Sequence, residues 1–438
     1  MLRPHMFVPA VQILRPGADL VRNPCGPLGR IRSAGLSAMS LVLCAAACLG
    51  APAIATAAPL QAKGATPAAP PQDKQEKKVK SDQLSVRSKR DGSLQLMTGT
   101  VTANNLEQVT LQVAGKDTKL DSELVIRISW GESPQSYKDG RTYLNREQFA
   151  DAAAQFRLAA GDASSRDVVR ASARLLAAQS LLRWGATEPM HFAEASDEAG
   201  KFLSDFATNR EVPEARMLQA RAKWMAGQVT EAAQLYKSIY AEWKPAGPTP
   251  GYRRELCFEA GLSAARAMLA AQPPDTLGAR ELFTSLDKAA AAALAALEPT
   301  SPARARLARL QDEASLGDAF SELATGNSAQ AAVLFRGKLG SKAGMSDTIR
   351  YGAAFGLAQA LAATGKLRDA QLEFAKVSAL EHNDRDRAAA AVVGLADTTL
   401  KLADPDATPQ ARAWLEGVTK SQGDTLAAAR AREMLKKL

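Results

Sequence analysis

The sequence predicts a mainly α fold: an α-α superhelical solenoid of stacked hairpins, preceded by a small antiparallel β barrel or sheet. Three observations predict it. Apolar residues recur at i, i+3 and i+4 from about Ser136 to Leu438, the period of helices with one buried face. The span Leu84 to Trp130 alternates with a period of two instead, as half-buried strands do. Within the helical part, a turn residue, a small residue and an aromatic return at constant offsets. Alanine is abundant, and the 438 residues include only 12 Phe, 5 Trp and 6 Tyr. That balance suits helices that approach closely through small side chains.

In chain order, the first element is an export signal over residues 1–58. Arg30 and Arg32 precede an apolar run from Leu36 to Gly50, and Ala53-Ile54-Ala55-Thr56-Ala57-Ala58 supplies an A-x-A-like cleavage site. Its basic lead-in is long, so the true start can lie downstream of Met1. Its apolar core is short and alanine-rich for a membrane span, so it reads as a signal cleaved near Ala57 or Ala58, with retention as an uncleaved anchor the alternative. The expected location is the periplasm or cell envelope. No later apolar stretch suits a membrane span, which leaves an uncleaved signal or a lipid anchor as the routes to a membrane. Cys48 follows Ala45-Ala46-Ala47, without the bulky residue a lipid-modified cysteine needs upstream, and Cys44 follows Leu43, where a small residue belongs. Both read as ordinary signal-core residues. A cleaved chain would keep Cys257 alone, with no intramolecular disulfide or thiolate cluster; its place is an apolar helix face beside Leu256 and Phe258. Residues 59–82, rich in Pro and Ala and then in Lys, Gln and Glu, read as a disordered linker.

Residues 83–131 form the β domain. Val109, Leu111 and Val113 alternate with polar residues, as do Leu124, Ile126, Ile128 and Trp130. Turn signals fall at Arg90-Asp91-Gly92, Asn104-Asn105 and Ala114-Gly115-Lys116-Asp117. Gly99, inside the second run, predicts a bulge or bend that curls the sheet. An Asp-Gly turn, a bent Gly-containing strand, a hairpin and a final strand, in that order, resemble Sm-like and other SH3-like barrels. Sm-like proteins bind RNA, but their RNA-contacting loop residues are not recognisable here, so a structural or protein-docking module is expected.

Residues 134–438 form the helical domain. Breaks at Gly161-Asp162, Thr187-Glu188-Pro189, Pro213, Pro245 to Gly251, Pro273-Pro274, Pro299 to Pro302, Gly340 to Gly344, His382-Asn383-Asp384 and Pro405 to Pro409 leave segments of roughly 12 to 25 residues, as in stacked helical hairpins. The recurring offsets are clearest at Gly365, Leu367, Ala370 and Phe374. They return at Gly227, Val229, Ala232 and Tyr236, and at Gly326, Ser328, Ala331 and Phe335. Glu147, Phe149, Ala152 and Phe156 fit too, as do Pro274, Thr276, Ala279 and Phe283, and more loosely Asp406, Thr408, Ala411 and Leu415. The first residue belongs in the turn between helices, where Gly supplies an otherwise costly conformation. The Ala lets paired helices approach, and the aromatic fills the groove to the next hairpin.

This pattern resembles the tetratricopeptide repeat (TPR). Gly140, Tyr143 and Ala159 around the first copy, and Leu357, Ala358 and Leu361 around Gly365, take further positions of its consensus. The family's Trp is absent from every copy and its closing Pro is mostly missing or displaced. The copies lie 39 to 80 residues apart, against the usual spacing of about 34. The repeat is therefore degenerate, with longer helices and an unmatched hairpin across 166–206. The alternative is a plain Ala-rich α-α bundle. As a whole the chain resembles extracytoplasmic TPR proteins of bacteria.

The formal net charge of +9 does not point to nucleic acid. Residues 1–58 contribute +4 and 59–82 a further +2, leaving +3 spread over 83–438 with the two signs interspersed. His191 and His382 lack metal-ligand spacing, so no metal or other cofactor is expected. Gly261-Leu262-Ser263-Ala264-Ala265 sits in a helical run without the strand a nucleophile elbow needs. Gly337-Lys338-Leu339-Gly340-Ser341-Lys342 lacks phosphate-loop spacing. Asp384 and Asp386, beside Arg385 and Arg387, suggest capping and solvation, not acid–base work. The TPR resemblance implies a concave groove lined by the first helices of successive hairpins, which receives peptides or extended segments. Carried over, it turns Tyr137, Arg141 and Asn145 toward the groove, and likewise Met217, Arg221, Trp224 and Met225. Trp224 and Met225 also suit the core between hairpins. The expected function is an exported, non-enzymatic scaffold for a protein or peptide partner. The alternatives are a carbohydrate- or peptidoglycan-binding solenoid, which needs several aromatics on one face, or an envelope hydrolase.

Overall fold

A computed structural model describes residues 81–438 apart from 89–91, 245–246, 302 and 341–344. The export signal, nearly all of the linker, Cys44 and Cys48 lie outside the described residues. Five strands come first: β1 (Asp82–Arg87), β2 (Leu94–Asn104), β3 (Gln108–Val113), β4 (Lys116–Asp121) and, after one 3-10 turn, β5 (Val125–Ser129). They form one antiparallel sheet in the order β4-β3-β2-β1-β5. The long β2 serves both halves: Leu94 to Gly99 pair with β1, and Thr100 to Asn104 pair with β3 across a register shift. The strand thus changes partner at the glycine expected to bend it. Leu84, Val86, Val101, Val109, Leu111 and Val125 fill the core of the sheet.

Two of the expected inward residues turn out. Val113 is 40% exposed at the end of its hairpin, and Ile126 is 48% exposed. The register along β5 steps from Ser85–Arg127 to Val86–Val125, so Ile126 is the extra residue of a bulge and Val125 takes the inward place.

The helices pair in sequence. The first four hairpins are α1 (Gln135–Asn145) with α2 (Phe149–Gly161), α3 (Asp167–Trp184) with α4 (His191–Asp205), α5 (Val212–Met225) with α6 (Val229–Tyr240), and α7 (Arg254–Ala270) with α8 (Thr276–Ala295). In the fifth, α9 (Ala303–Ala314) and α10 (Gly317–Ala324) together make the first helix, and α11 (Ser328–Gly340) the second. Then α12 (Asp347–Ala363) pairs with α13 (Leu367–Leu380), α14 (Arg385–Leu402) with α15 (Ala407–Ser421), and α16 (Leu426–Leu435) ends the stack. This is an α-α superhelical solenoid of TPR-like hairpins. The expected unmatched hairpin is α3–α4. None of these helices is long and apolar enough to cross a membrane.

From α5 onward, first helices bury more of their residues than second helices because they occupy different layers. On α12, every residue from Gly352 to Leu361 is buried, as for a helix enclosed by neighbours. On α13 only Ala370, Phe374 and Val377 are buried, one stripe at i, i+4, i+7. The offset residues carry the contacts between layers. Ala152, Ala232, Ala279, Ala331, Ala370 and Ala411 are all fully buried, and the large residue four positions on is at most 4% exposed in every copy. The aromatic reaches the following hairpin: a Cβ on Gly356 of α12 would lie 2.1 Å from Cζ of Phe335 on α11. Gly394 meets Phe374, and Gly317 meets Phe283, in the same way.

The tight turns share one hydrogen-bond pattern. Lys366 N–H donates to Leu361 O at 2.9 Å and Gly365 N–H to Ala362 O at 3.2 Å, the two bonds of a Schellman cap, which needs a left-handed residue. Gly365 has φ +79°, Gly227 +84° and Gly326 +88°. Glu147 adopts φ +59° at the equivalent place without being a glycine.

The sheet is clamped to the first helices. Asp82 is 1% exposed and accepts both Nη1 and Nη2 of Arg166, the residue preceding α3, at 2.8 and 2.7 Å. It also accepts the Val101 and Gly131 N–H groups at 2.8 and 2.9 Å. The β2–β3 turn docks on the loop before α5, where Leu106 N–H donates to Thr208 O at 2.8 Å. There Arg210 Nη1 donates to Val125 O at 2.8 Å. At the other end the stack returns on itself. Arg432 of α16 donates to Ala186 O after α3, and Arg221 of α5 donates to Asp424 O at 3.2 Å.

Candidate functional site

The returning stack borders a half-open cavity of about 310 Å³ whose walls come from α5, α6, α7, α9, the start of α14 and the turn before α16. Each inner helix contributes one stripe at helical spacing. On α5 the stripe is Met217, Arg221 and Met225, with Trp224 beside it. On α7 it is Glu259, Leu262, Ser263 and Arg266, and on α9 Arg309, Leu310 and Glu313. Such stripes face one way because residues three and four apart stack on one helix face, while the alanines between them pack against neighbouring helices. A second cavity of about 240 Å³ shares Met217 and Glu259 with the first and continues past Glu214, Arg253 and Arg306. Together they make a groove of mixed charge with apolar patches.

The structure places Met217, Arg221, Trp224 and Met225 on this wall together. Trp224 is nonetheless 6% exposed, standing edge-on to Tyr236 with ring centroids 6.2 Å apart. It is part core and part wall, while Arg221 keeps 45% of its side chain exposed. The first-hairpin residues do not join them. Tyr137 is buried against Phe156, at 5.8 Å between ring centroids, with its hydroxyl 3.1 Å from Ser172 Oγ. Burial is the main influence on that phenol and raises its pKa. It faces inward because α1 opens the stack and turns its apolar stripe onto α2 and α3. Arg141 and Asn145 are exposed on α1 and do not line the cavity.

The floor of the cavity holds a charge cluster that sequence reasoning read as solvated. Asp384 does cap α14, accepting the Arg387 N–H at 2.8 Å, but the group is buried. Arg387, Glu313, Glu381, Asp384 and Asp386 are all at most 5% exposed. Arg387 Nη1 donates to Glu381 Oε2 at 3.0 Å, and Nη2 donates to Asp384 Oδ2 at 2.7 Å and to Glu313. Arg266 donates to the other Glu313 oxygen at 2.7 Å. Burial alone would lower the Arg387 pKa; Glu313, Asp384 and Glu381 outweigh it and hold it above the ordinary value. Burial would likewise raise Glu313, but Arg387 and Arg266 hold its carboxyl below the usual range. Such a network fixes geometry more than it adds stability, and removing one member leaves a buried charge unmatched. The signal for it was the run Asp384 to Arg387, but its partner Glu313 lies 74 positions away from Arg387.

The other candidates resolve simply. Gly261 to Ala265 lie within α7, and Gly337 to Gly340 end α11. His191 is buried, stacked 3.4 Å from the Trp184 ring, with Nδ1 2.8 Å from Glu194; His382 is exposed. Among the described residues no group of three or more His, Cys, Asp or Glu is placed to hold a metal ion. Cys257 is fully buried on α7, and burial pushes its thiol up to about 12.

No family model matches the chain, and no curated protein matches it. Among solved structures it is similar to a tetratricopeptide repeat protein from Parabacteroides merdae ATCC 43184. The identity is 15% and the TM-score 0.43, and the match covers 69% of this chain and 98% of that one.

Proposed function

We propose that the protein is an exported, non-enzymatic scaffold that holds an extended segment of a protein partner along the inner wall of its solenoid. One observation carries this reading: Met217, Arg221, Trp224 and Met225 share one wall of a cavity that continues into a second. Methionine adapts to varied apolar side chains, and Arg and Trp dominate the energetics of many interfaces. Alternating acidic and basic groups along the groove suit a peptide backbone with charged side chains of both signs. Export rests on Arg30 to Ala58, and the envelope is the proposed setting. The sheet, in its strand order, is proposed as an SH3-like module that positions the solenoid through Asp82 and Arg166. A carbohydrate site would need a row of aromatic faces, whereas the aromatics lining the described groove, Trp224 and Tyr236, are both nearly buried.

A photo-crosslinking residue installed at Met217, with Val333 on the outer surface (58% exposed) as control, tests the reading in the native cells. The expected result is one discrete protein adduct from position 217 and none from 333. Equal adducts from both positions would remove the groove from the account.

A further inference from the structure

One group on the cavity floor is unanswered by its surroundings. Asp386, in the first turn of α14, is 2% exposed, lines the cavity, and has no hydrogen-bond partner for its Oδ1 among the described residues. Arg221 and Arg266 attract it through charge alone, and the charged groups around it make their hydrogen bonds elsewhere. Arg266 holds Glu313 at 2.7 Å, Arg387 holds Asp384 at 2.7 Å, Arg385 reaches Asp424 at 3.3 Å, and Arg221 reaches Asp424 O at 3.2 Å. A carboxylate removed from water without a partner is among the most unfavourable arrangements in a protein interior. Burial accordingly raises the Asp386 pKa well above its ordinary value. The helix N-terminus beneath it favours a negative charge, and a cation entering the cavity would draw the carboxyl toward its ionised form.

We propose that the Asp386 end of the cavity receives a cationic group carried on an aliphatic stem, an ammonium or guanidinium of the lysine or arginine type. The stem has apolar neighbours lining the same cavity in Met217, Met225, Leu262, Leu310 and Leu426. This inference rests on the peptide-groove reading and gives it a specificity: the held segment presents a basic side chain at this point. The same chemistry exists in free alkyl cations, so the two sources are separated by experiment.

Calorimetric titration of the full chain uses three probes: acetyl-Ala-Leu-Arg-Leu-Ala-amide, the same peptide with norleucine for arginine, and agmatine. The expected result is that the arginine peptide binds more tightly than agmatine and at least tenfold more tightly than the norleucine peptide. Asp386→Asn, and Asp386→Ser as a second variant, should weaken the arginine peptide at least tenfold while the free variants melt no lower than the parent. Equal binding of both peptides, unchanged by either variant, overturns the cation site and leaves the groove reading standing. Agmatine binding that the variants abolish, with neither peptide bound, supports the cation site and removes the peptide reading. If no probe binds the parent chain, the inference is overturned.

Discussion

At the scale of single residues, two positions set local conformation or charge against the rest of the fold. Glu147 holds φ +59° in a turn that elsewhere uses Gly227, Gly326 and Gly365. A left-handed residue with a Cβ costs about 1–2 kcal/mol, and glycine returns part of that through unfolded-state entropy. Glu147→Gly should therefore raise stability by about 1 kcal/mol, read as a higher urea midpoint with unchanged slope, while Gly365→Ala should lower it similarly. Asp386 is the second. Its folded pKa lies above its unfolded one, so its contribution is fully present below about pH 4 and is lost as pH rises through the folded value. Asp386→Asn should melt higher than the parent at pH 7, and the difference should vanish below about pH 4 in a pH series of melting curves.

At the scale of elements, much was legible because it depends on local chemistry. The hairpin turns, the offset Ala and aromatic and the change of partner in β2 after Gly99 all follow from residues within one or two turns of each other, whereas the α5 groove residues came only from the TPR resemblance. What was not legible depends on distant packing. Ile126 turns out because of a register step against β1, and Tyr137 is buried because α1 begins the stack. The glycines that receive Phe335 and Phe374 have no meaning until the next hairpin is laid down. Asp384 to Arg387 look like a solvated turn until Glu313 arrives from α9. The clamp between sheet and solenoid is of this distant kind, and it makes a prediction. Asp82 is fully buried and its carboxyl is held low: burial would raise it, but Arg166 and the Val101 and Gly131 amides outweigh that. Asp82→Asn should cost about 3 kcal/mol at pH 7. Because a depressed pKa gives stability that is lost as pH falls through the folded value, the parent should approach the variant below about pH 4, measured by denaturant unfolding at several pH values.

At the scale of the whole molecule, the solenoid curls until α16 and the turn before it meet α3–α5, through Arg432 with Ala186 O and Arg221 with Asp424. That closure narrows the concave face into a groove that stays open to solvent, and it was invisible in the sequence because the Arg432 contact spans 246 positions. It also explains why one cavity gathers residues from α5, α7, α9, α14 and α16, so that a bound segment would touch both ends of the stack. Arg309 keeps 34% of its side chain exposed and Met217 is half-buried at the margin of the core around α5 to α8, so truncating both removes groove surface and only the edge of that core. The account is tested most directly by the partner crosslinked through position 217, measured for binding to the Met217→Ala, Arg309→Ala double variant. It predicts at least a tenfold loss of affinity with the melting temperature lowered by no more than about 6 °C, since part-buried truncations of this kind cost about 1 kcal/mol each. Full affinity in the double variant, with the fold intact, would contradict it.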